Sequence, residues 1–469
     1  MAEQLLKLIL SIRDFLWSGP LLWLFIGTGV YVTWQLRGLQ FKYLYSGAVS
    51  GFSCIKKVFM PAATNPVVSR AAEPMTAELN GELSAMQALM TALAGAIGTG
   101  NITGIAVAIT TGGLGALFWM WVVALFGMAT AYTEAVLSLK FRETNADNLT
   151  IGGPMLTLAK GLKNKWLAAW FAGCGAIAGL GYAMVQANSV IDAALSVVNM
   201  ERLSLGIILS FIAGWVIIGG VKRVGFAATM LVPFMAIFYF IVSIIVLLYN
   251  YQEVLPALKL IVVSAFTGHA AVGGFMGSTV ILALQSGAQY GIFANEAGLG
   301  SLAIASSCAK TADPRQQGFL AISGVFIATM VVCTITGLVI AVTGVLGTEV
   351  DGNLLTGSGL ALLAFSSVHA FLPYIVMLCL LLFAFTTILA WAYYGEKCLE
   401  FLFGIRVAYC YRWLYIGCII VGAVMSLHLV WAFAHLANGL MAIPNLIAVI
   451  CLVKILRSDN LKDIAILDS

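Results

Sequence analysis

Residues 92–104 read Ala-Leu-Ala-Gly-Ala-Ile-Gly-Thr-Gly-Asn-Ile-Thr-Gly, in the middle of an apolar run, 84–109, that is long enough to cross a bilayer. Gly95, Gly98, Gly100 and Gly104 crowd into this stretch, and each costs a helix interior about 1 kcal/mol relative to Ala. Thr99, Asn101 and Thr103 add side-chain polarity where hydrocarbon tolerates it least. Close packing through small residues would account for the glycines alone. With Asn101 among them, the pattern points to a helix that stops near the midplane and restarts. Interrupted backbone at that depth survives only when buried in protein or lining a wet cavity. Its freed carbonyls can hold a cation, and the N-terminus of its second half can hold a carboxylate.

The rest of the chain fits that setting. Hydrophobic residues make up 61% and charged residues 9%, against about 25% charge in an ordinary soluble domain. The composition is that of an all-α polytopic membrane protein. A net charge of +4, dispersed along the chain, gives no footing for nucleic acid. Residues 1–16 mix charge with apolarity and show no small-residue cleavage site, so a cleavable signal peptide is not expected. The nine cysteines form no C-x-x-C pair and read as buried small hydrophobes, with neither a disulfide framework nor a metal site.

Eleven spans are expected, at 17–35, 84–109, 114–141, 166–196, 203–219, 225–249, 272–308, 318–346, 371–402, 408–430 and 433–456. Residues 41–60 read as an amphipathic piece on the membrane surface. Connections 143–165 and 347–370 read as loops, the second without Lys or Arg. If 36–83 is cytoplasmic, 20 of the Lys and Arg residues face the cytoplasm and 4 face outward. That is a strong positive-inside bias. It puts the N-terminus outside and the C-terminus inside a plasma or inner membrane. Trp17, Trp23, Trp34, Trp166, Tyr249 and Tyr415 read as interfacial aromatics, and His428 and His435 as flanking the last outer turn.

Setting the first span aside leaves ten, or five plus five. An odd number per half makes the second half enter from the opposite side, which is the arithmetic of an inverted repeat. The expected division is 1–83, an N-terminal helix and connection; 84–250, the first five-helix repeat; and 251–469, the second repeat and tail. The seventh span carries the other glycine-rich interruption, Ser-Gly-Ala-Gln-Tyr-Gly-Ile-Phe-Ala-Asn-Glu-Ala-Gly-Leu-Gly-Ser over 286–301.

The third span opens Gly112-Gly113-Leu114-Gly115-Ala116-Leu117-Phe118-Trp119-Met120-Trp121-Val122-Val123-Ala124-Leu125-Phe126-Gly127. This resembles the alanine or glycine:cation symporter family, also called the sodium:alanine symporters. Gly98-Thr99-Gly100-Asn101-Ile102 and Asn295-Glu296-Ala297-Gly298-Leu299-Gly300-Ser301 are similar to family stretches as well. The resemblance implies a leucine-transporter-type fold, with one extra helix before five-plus-five inverted repeats. It also implies sodium-coupled symport of alanine or glycine. The chain departs from the family at Tyr290 and Gln285, where members commonly carry Arg. Those losses put charge pairing near the seventh span, and the choice of substrate, in question, and they keep a proton open as the coupling ion.

The expected site follows. Gly98, Thr99, Gly100 and Asn101 form a half-helix N-terminus suited to the amino acid's carboxylate without an Arg. The resemblance implies Thr386 as a sodium ligand, together with carbonyls near Ala94, Ala96 and Ile97. Thr387 and Trp391, at i and i+4, share one helical face and can contact substrate as a hydroxyl and an indole wall. The competing explanation is back-bonding of the threonines and core packing of the indole. Gln186 is a candidate substrate hydrogen-bonder. Glu134, Glu296 and Asn295 are candidates for gating or coupling, since an ionisable group in lipid is a functional hypothesis by default. Asp192, a further acid within a span, can pair with a nearby base. Sodium is the expected coupling ion, with a proton as the alternative, and no organic cofactor is expected. A channel would want a repeated filter or charge rings, and an enzyme a nucleophile with a base or a metal motif such as H-E-x-x-H. One chain with two inverted broken helices argues against the channel, which stays the lesser alternative, and the sequence has no H-E-x-x-H and no G-x-S-x-G for the enzyme.

Overall fold

The computed structural model describes residues 2–44, 81–144, 150–195, 199–267, 280–311, 313–350 and 352–467. The expected surface piece at 41–60 falls mostly outside them, as do the first residues of the seventh expected span. The described chain is predominantly helical. Eight of its helices are long and apolar enough to cross a membrane.

Helices α1 (Ala2–Ser18) and α2 (Pro20–Gln35) meet at Gly19, with Pro20 at the first helical position, where its missing N–H costs nothing. Helix α3 (Ala85–Ala96) starts on a capping box: Gln87 N donates to Ser84 Oγ at 3.1 Å, and Ser84 N to Gln87 Oε1 at 2.9 Å. It stops where Ile97 (φ −89°, ψ 86°) and Gly98 (φ −123°, ψ −164°) leave helical geometry. One 3-10 turn, Thr99–Asn101, leads into α4 (Thr103–Gly112). The first interruption therefore falls within the residues that announced it.

The chain continues through α5 (Gly115–Lys140), α6 (Lys165–Leu195), α7 (Arg202–Ile217) and α8 (Val221–Tyr249). Helix α9 (Tyr251–Thr267) follows, then α10 (Val280–Asn295) and α11 (Ser301–Ser307), the two pieces of the second interrupted span. In the linker between those pieces Glu296 (φ 57°), Gly298 (φ 90°) and Gly300 (φ 82°) all turn left-handed. Helices α12 (Pro314–Val325) and α13 (Thr334–Val342) are joined by a π-helical segment, Phe326–Cys333. The chain closes with α14 (Gly357–Ser366), α15 (Leu372–Phe403), α16 (Ile405–Val424) and α17 (Leu427–Leu467).

Two helices lie where connections were expected. Helix α9 carries Glu253, Pro256 and Lys259, which hid it. It buries Ala257, Ile261, Ser264 and Ala265, and Trp119 Nε1 donates to Ala265 O at 3.1 Å. Helix α14 lies in the segment without Lys or Arg. It is short and buries Leu360, Ala361 and Phe365.

With lipid as solvent there is little hydrophobic drive between helices, so close approach has to hold them. Helix α6 crosses α15, α16 and α17 through small residues. An added Cβ on Gly175 would lie 2.7 Å from Cys398 Sγ, and one on Gly422 would lie 2.3 Å from Met184 Cα. Trp23, Trp34, Trp166 and Tyr249 are exposed at the protein surface. Trp17, Tyr415 and His435 are buried, against expectation. Trp17 Nε1 donates to His435 O at 3.1 Å, and Tyr415 OH to Ile388 O at 2.8 Å. Trp17 and Tyr415 thus each found a backbone acceptor inside the bundle, whereas the ring nitrogens of His435 are buried without a hydrogen-bond partner among the described residues. Asp192 pairs with Arg202.

At one end of the bundle the two interrupted spans are tied together. Leu83–Ser84 pairs in parallel with Ala309–Lys310, joining the start of α3 to the end of α11. Arg142 Nη1 donates to Ser307 O at 3.2 Å and to Ala309 O at 2.6 Å. Lys397 Nζ lies 3.5 Å from Glu82 Oε1 and 3.0 Å from Glu400 Oε2, with all three side chains buried.

Candidate substrate and ion site

The interruption in the first broken span frees carbonyls, and α15 brings a hydroxyl to them. Thr387 Oγ1 lies 2.8 Å from Ala94 O, 3.4 Å from Ile97 O and 2.9 Å from Phe383 O. Two carbonyls of the break and one of α15 itself thus surround a single buried hydroxyl, and oxygens of this kind are what a hard cation takes. Thr386 is placed differently. Its hydroxyl donates back to Leu382 O and Phe383 O, both at 3.1 Å, and faces Met235 Sδ at 3.5 Å. The threonine that reaches the break is therefore Thr387, one residue beyond the one the resemblance pointed to. Ala96 instead lines a small apolar cavity with Leu93, Leu302 and Gly324.

On the other side of Gly98 stands Gln186, from the middle of α6. Thr99 N donates to Gln186 Oε1 at 3.0 Å. Gln186 Nε2 and Thr99 Oγ1 are buried without a hydrogen-bond partner among the described residues. Such groups are costly unless something fills them. A Cβ on Gly98 would lie 2.5 Å from Thr387 Oγ1 and 3.0 Å from Gln186 Nε2, so only a bare backbone fits between the hydroxyl and the amide. Asn101 Oδ1 accepts from Gly98 N at 3.0 Å and so fixes the turn. Gly100 faces the second interrupted span: a Cβ there would lie 2.8 Å from Phe293 Cδ1.

Aromatic rings wall this region. Trp391 stacks on Tyr182 with centroids 3.7 Å apart, and Tyr182 on Phe293 at 4.5 Å. The Trp391 indole N–H is spent on Glu296. The Glu296 carboxylate accepts from Trp391 Nε1 at 2.6 Å and from Ser301 Oγ at 2.7 Å. Asn295 Oδ1 accepts from Ala297 N at 3.0 Å and shapes the same turn. Glu134 lies on the far side of that turn and accepts from Asn445 Nδ2, which also donates to Gly298 O at 2.9 Å. Glu134 thus braces the linker, while Glu296 lies between the two spans. Tyr290, at the position where Arg is common, packs on Trp431 and His435. Gln285 Nε2 donates to Ser18 O at 2.7 Å.

The sequence reading missed Tyr182, Phe293 and the Phe383 carbonyl. Tyr182 is one turn before Gln186 on α6, a spacing that could have been used. A backbone carbonyl carries no sequence signal.

The profile of the sodium:alanine symporter family matches residues 2–463. The chain belongs to the sodium:alanine symporter family. It is 40% identical to the sodium/alanine symporter AgcS of Methanococcus maripaludis, over 97% of this chain and 96% of that one. It is 35% identical to the probable sodium/glutamine symporter GlnT of Bacillus subtilis, over 97% of this chain and 90% of that one. Among solved structures it is similar to MhsT in complex with L-phenylalanine, with TM-score 0.58 and 14% identity, over 80% of this chain and 89% of that one. This family member is a membrane transporter with a leucine-transporter-type fold, and the family's work is sodium-coupled movement of amino acids.

Proposed function

We propose that this protein moves a small neutral amino acid, alanine or glycine, together with Na⁺ by alternating access around the interrupted spans. The observation that carries the reading is that Ala94 O, Ile97 O and Phe383 O all lie within 3.4 Å of Thr387 Oγ1. Sodium takes this place, and the Thr387 proton turns away from it. The substrate carboxylate lies at Gly98–Asn101, taking the unpartnered Gln186 amide and Thr99 hydroxyl. The positive end of α4 adds to the attraction. Tyr182, Trp391 and Phe293 bound the space left for a side chain. The Gly100–Phe293 contact favours a small one, so alanine, the substrate in the name of AgcS, suits this site better than the glutamine in the name of GlnT.

Eleven spans, with an outer N-terminus and a cytoplasmic tail, are the arrangement we adopt. In it 84–250 and 251–469 are inverted repeats, and the strand pair Leu83–Ala309 closes the cytoplasmic end. The deciding test is counterflow in liposomes with labelled alanine, glycine and serine, with and without a sodium gradient. Exchange of alanine or glycine that depends on Na⁺ is expected. Exchange that ignores Na⁺ but follows a proton gradient would replace the ion.

A further inference from the structure

Between Val325 and Thr334 the helix widens into the π-helical segment Phe326–Cys333. Such segments concentrate at functional sites, because the looser winding turns groups outward that an α-helix keeps to itself. Here the asparagines of both interruptions turn toward it. Asn101 Nδ2 lies 3.1 Å from Ala328 O and 3.3 Å from Cys333 Sγ, and also 3.3 Å from Ala294 O of α10. Asn295 Nδ2 donates to Thr329 Oγ1 at 3.0 Å. One turn further on, Thr336 Oγ1 donates to Asn101 O at 2.9 Å. Thr329 and Cys333 are fully buried.

Each asparagine has a second task at its own break. Asn101 holds Gly98 N, the backbone beside Gln186 and Thr387. Asn295 holds Ala297 N, the residue after Glu296. A shift of either break therefore pulls on the same short stretch of helix.

We propose that the π-helical segment couples the two interrupted spans, with Thr329 and Cys333 as positioning residues that make amino-acid affinity depend on the filled cation site. This rests on the symport reading and adds the route of its coupling. The coupling is reciprocal by linkage, so it is measurable from either ligand.

The test uses the full chain in lipid nanodiscs. Binding of labelled alanine is measured with and without Na⁺, and Na⁺ binding alone is followed by tryptophan fluorescence. Thr329→Val is expected to shrink the Na⁺-induced gain in alanine affinity roughly tenfold, within the usual span of such couplings, while Na⁺ affinity without alanine changes less than about twofold. Thr329→Ser restores the gain, and Cys333→Ala shrinks it as Thr329→Val does. An unchanged gain in both Thr329→Val and Cys333→Ala overturns the proposal, and so does equal weakening of both ligands, which marks general damage. If Thr329→Val fails to insert, Cys333→Ala decides alone, because it removes only a sulfur. Wild-type alanine binding that ignores Na⁺ would instead bring down the symport reading, and this coupling with it.

Discussion

Trp391 Nε1 donates to Glu296 Oε1 at 2.6 Å, so α15 and the turn of the second interrupted span are joined by one hydrogen bond between buried side chains. Trp391→Phe keeps the stack on Tyr182 and deletes the donor. One oxygen of a buried carboxyl group then loses its partner, at a cost of about 1–3 kcal/mol. A lowered melting temperature in detergent, with weakened alanine binding, is the expected result. An unchanged melting temperature would mean that the bond contributes nothing net.

The two neighbouring threonines should separate cleanly. Thr387→Ala removes the hydroxyl that meets Ala94 O and Ile97 O of the break besides Phe383 O of its own helix, and is expected to raise the Na⁺ concentration for half-maximal uptake roughly tenfold, the equivalent of one good ligand. Thr386→Ala deletes a hydroxyl bonded back to its own helix and is expected to leave that concentration within about twofold, since back-bonding contributes little. Sodium titration of uptake decides, and the opposite ranking would place the ion on the other side chain.

Gly98→Ala puts a methyl group 2.5 Å from Thr387 Oγ1 and 3.0 Å from Gln186 Nε2. Binding of amino acid and ion is expected to be lost while the protein still inserts. Gly173→Ala, on a helix with nothing within 4 Å of the new carbon, serves as the control and should behave as wild type in the same binding assay.

Lys397 is held among Glu82, Glu400 and the Thr150 carbonyl. Lys397→Met leaves two buried carboxylates without their cation, and breaking such a cluster costs about 3–5 kcal/mol. Thermal unfolding should show the loss. The triple replacement Lys397→Met, Glu82→Gln, Glu400→Gln should recover most of it, because no uncompensated charge remains. A triple variant as unstable as the single one would mean that packing, rather than charge, holds this end.

What could be read in advance were features whose causes are local. Glycine and asparagine inside an apolar run break a helix wherever it sits, so Gly98–Asn101 and Asn295–Gly300 were legible. That a threonine of α15 would meet the carbonyls of the first break was legible to within one residue, since Thr387 rather than Thr386 lies against Ala94 O and Ile97 O. The choice between Thr386 and Thr387 depends on how far α15 is rotated about its axis, and its packing against α3 and α8 decides that. The buried states of Trp17, Tyr415 and His435 were not legible, since an aromatic residue near a span end looks the same whether it meets headgroups or a neighbouring helix. Helix α9 was hidden because its polar residues mimic those of a loop.

The strand pair at the mouth of the bundle bears on how the chain assembles. Leu83 finds its partner in Ala309, about 226 residues further along. During synthesis the entrance to the first interrupted span stays untied until most of the polypeptide has left the ribosome. A truncated product ending before that point lacks the staple that seats both unwound segments side by side, so the two halves mature together rather than one after the other.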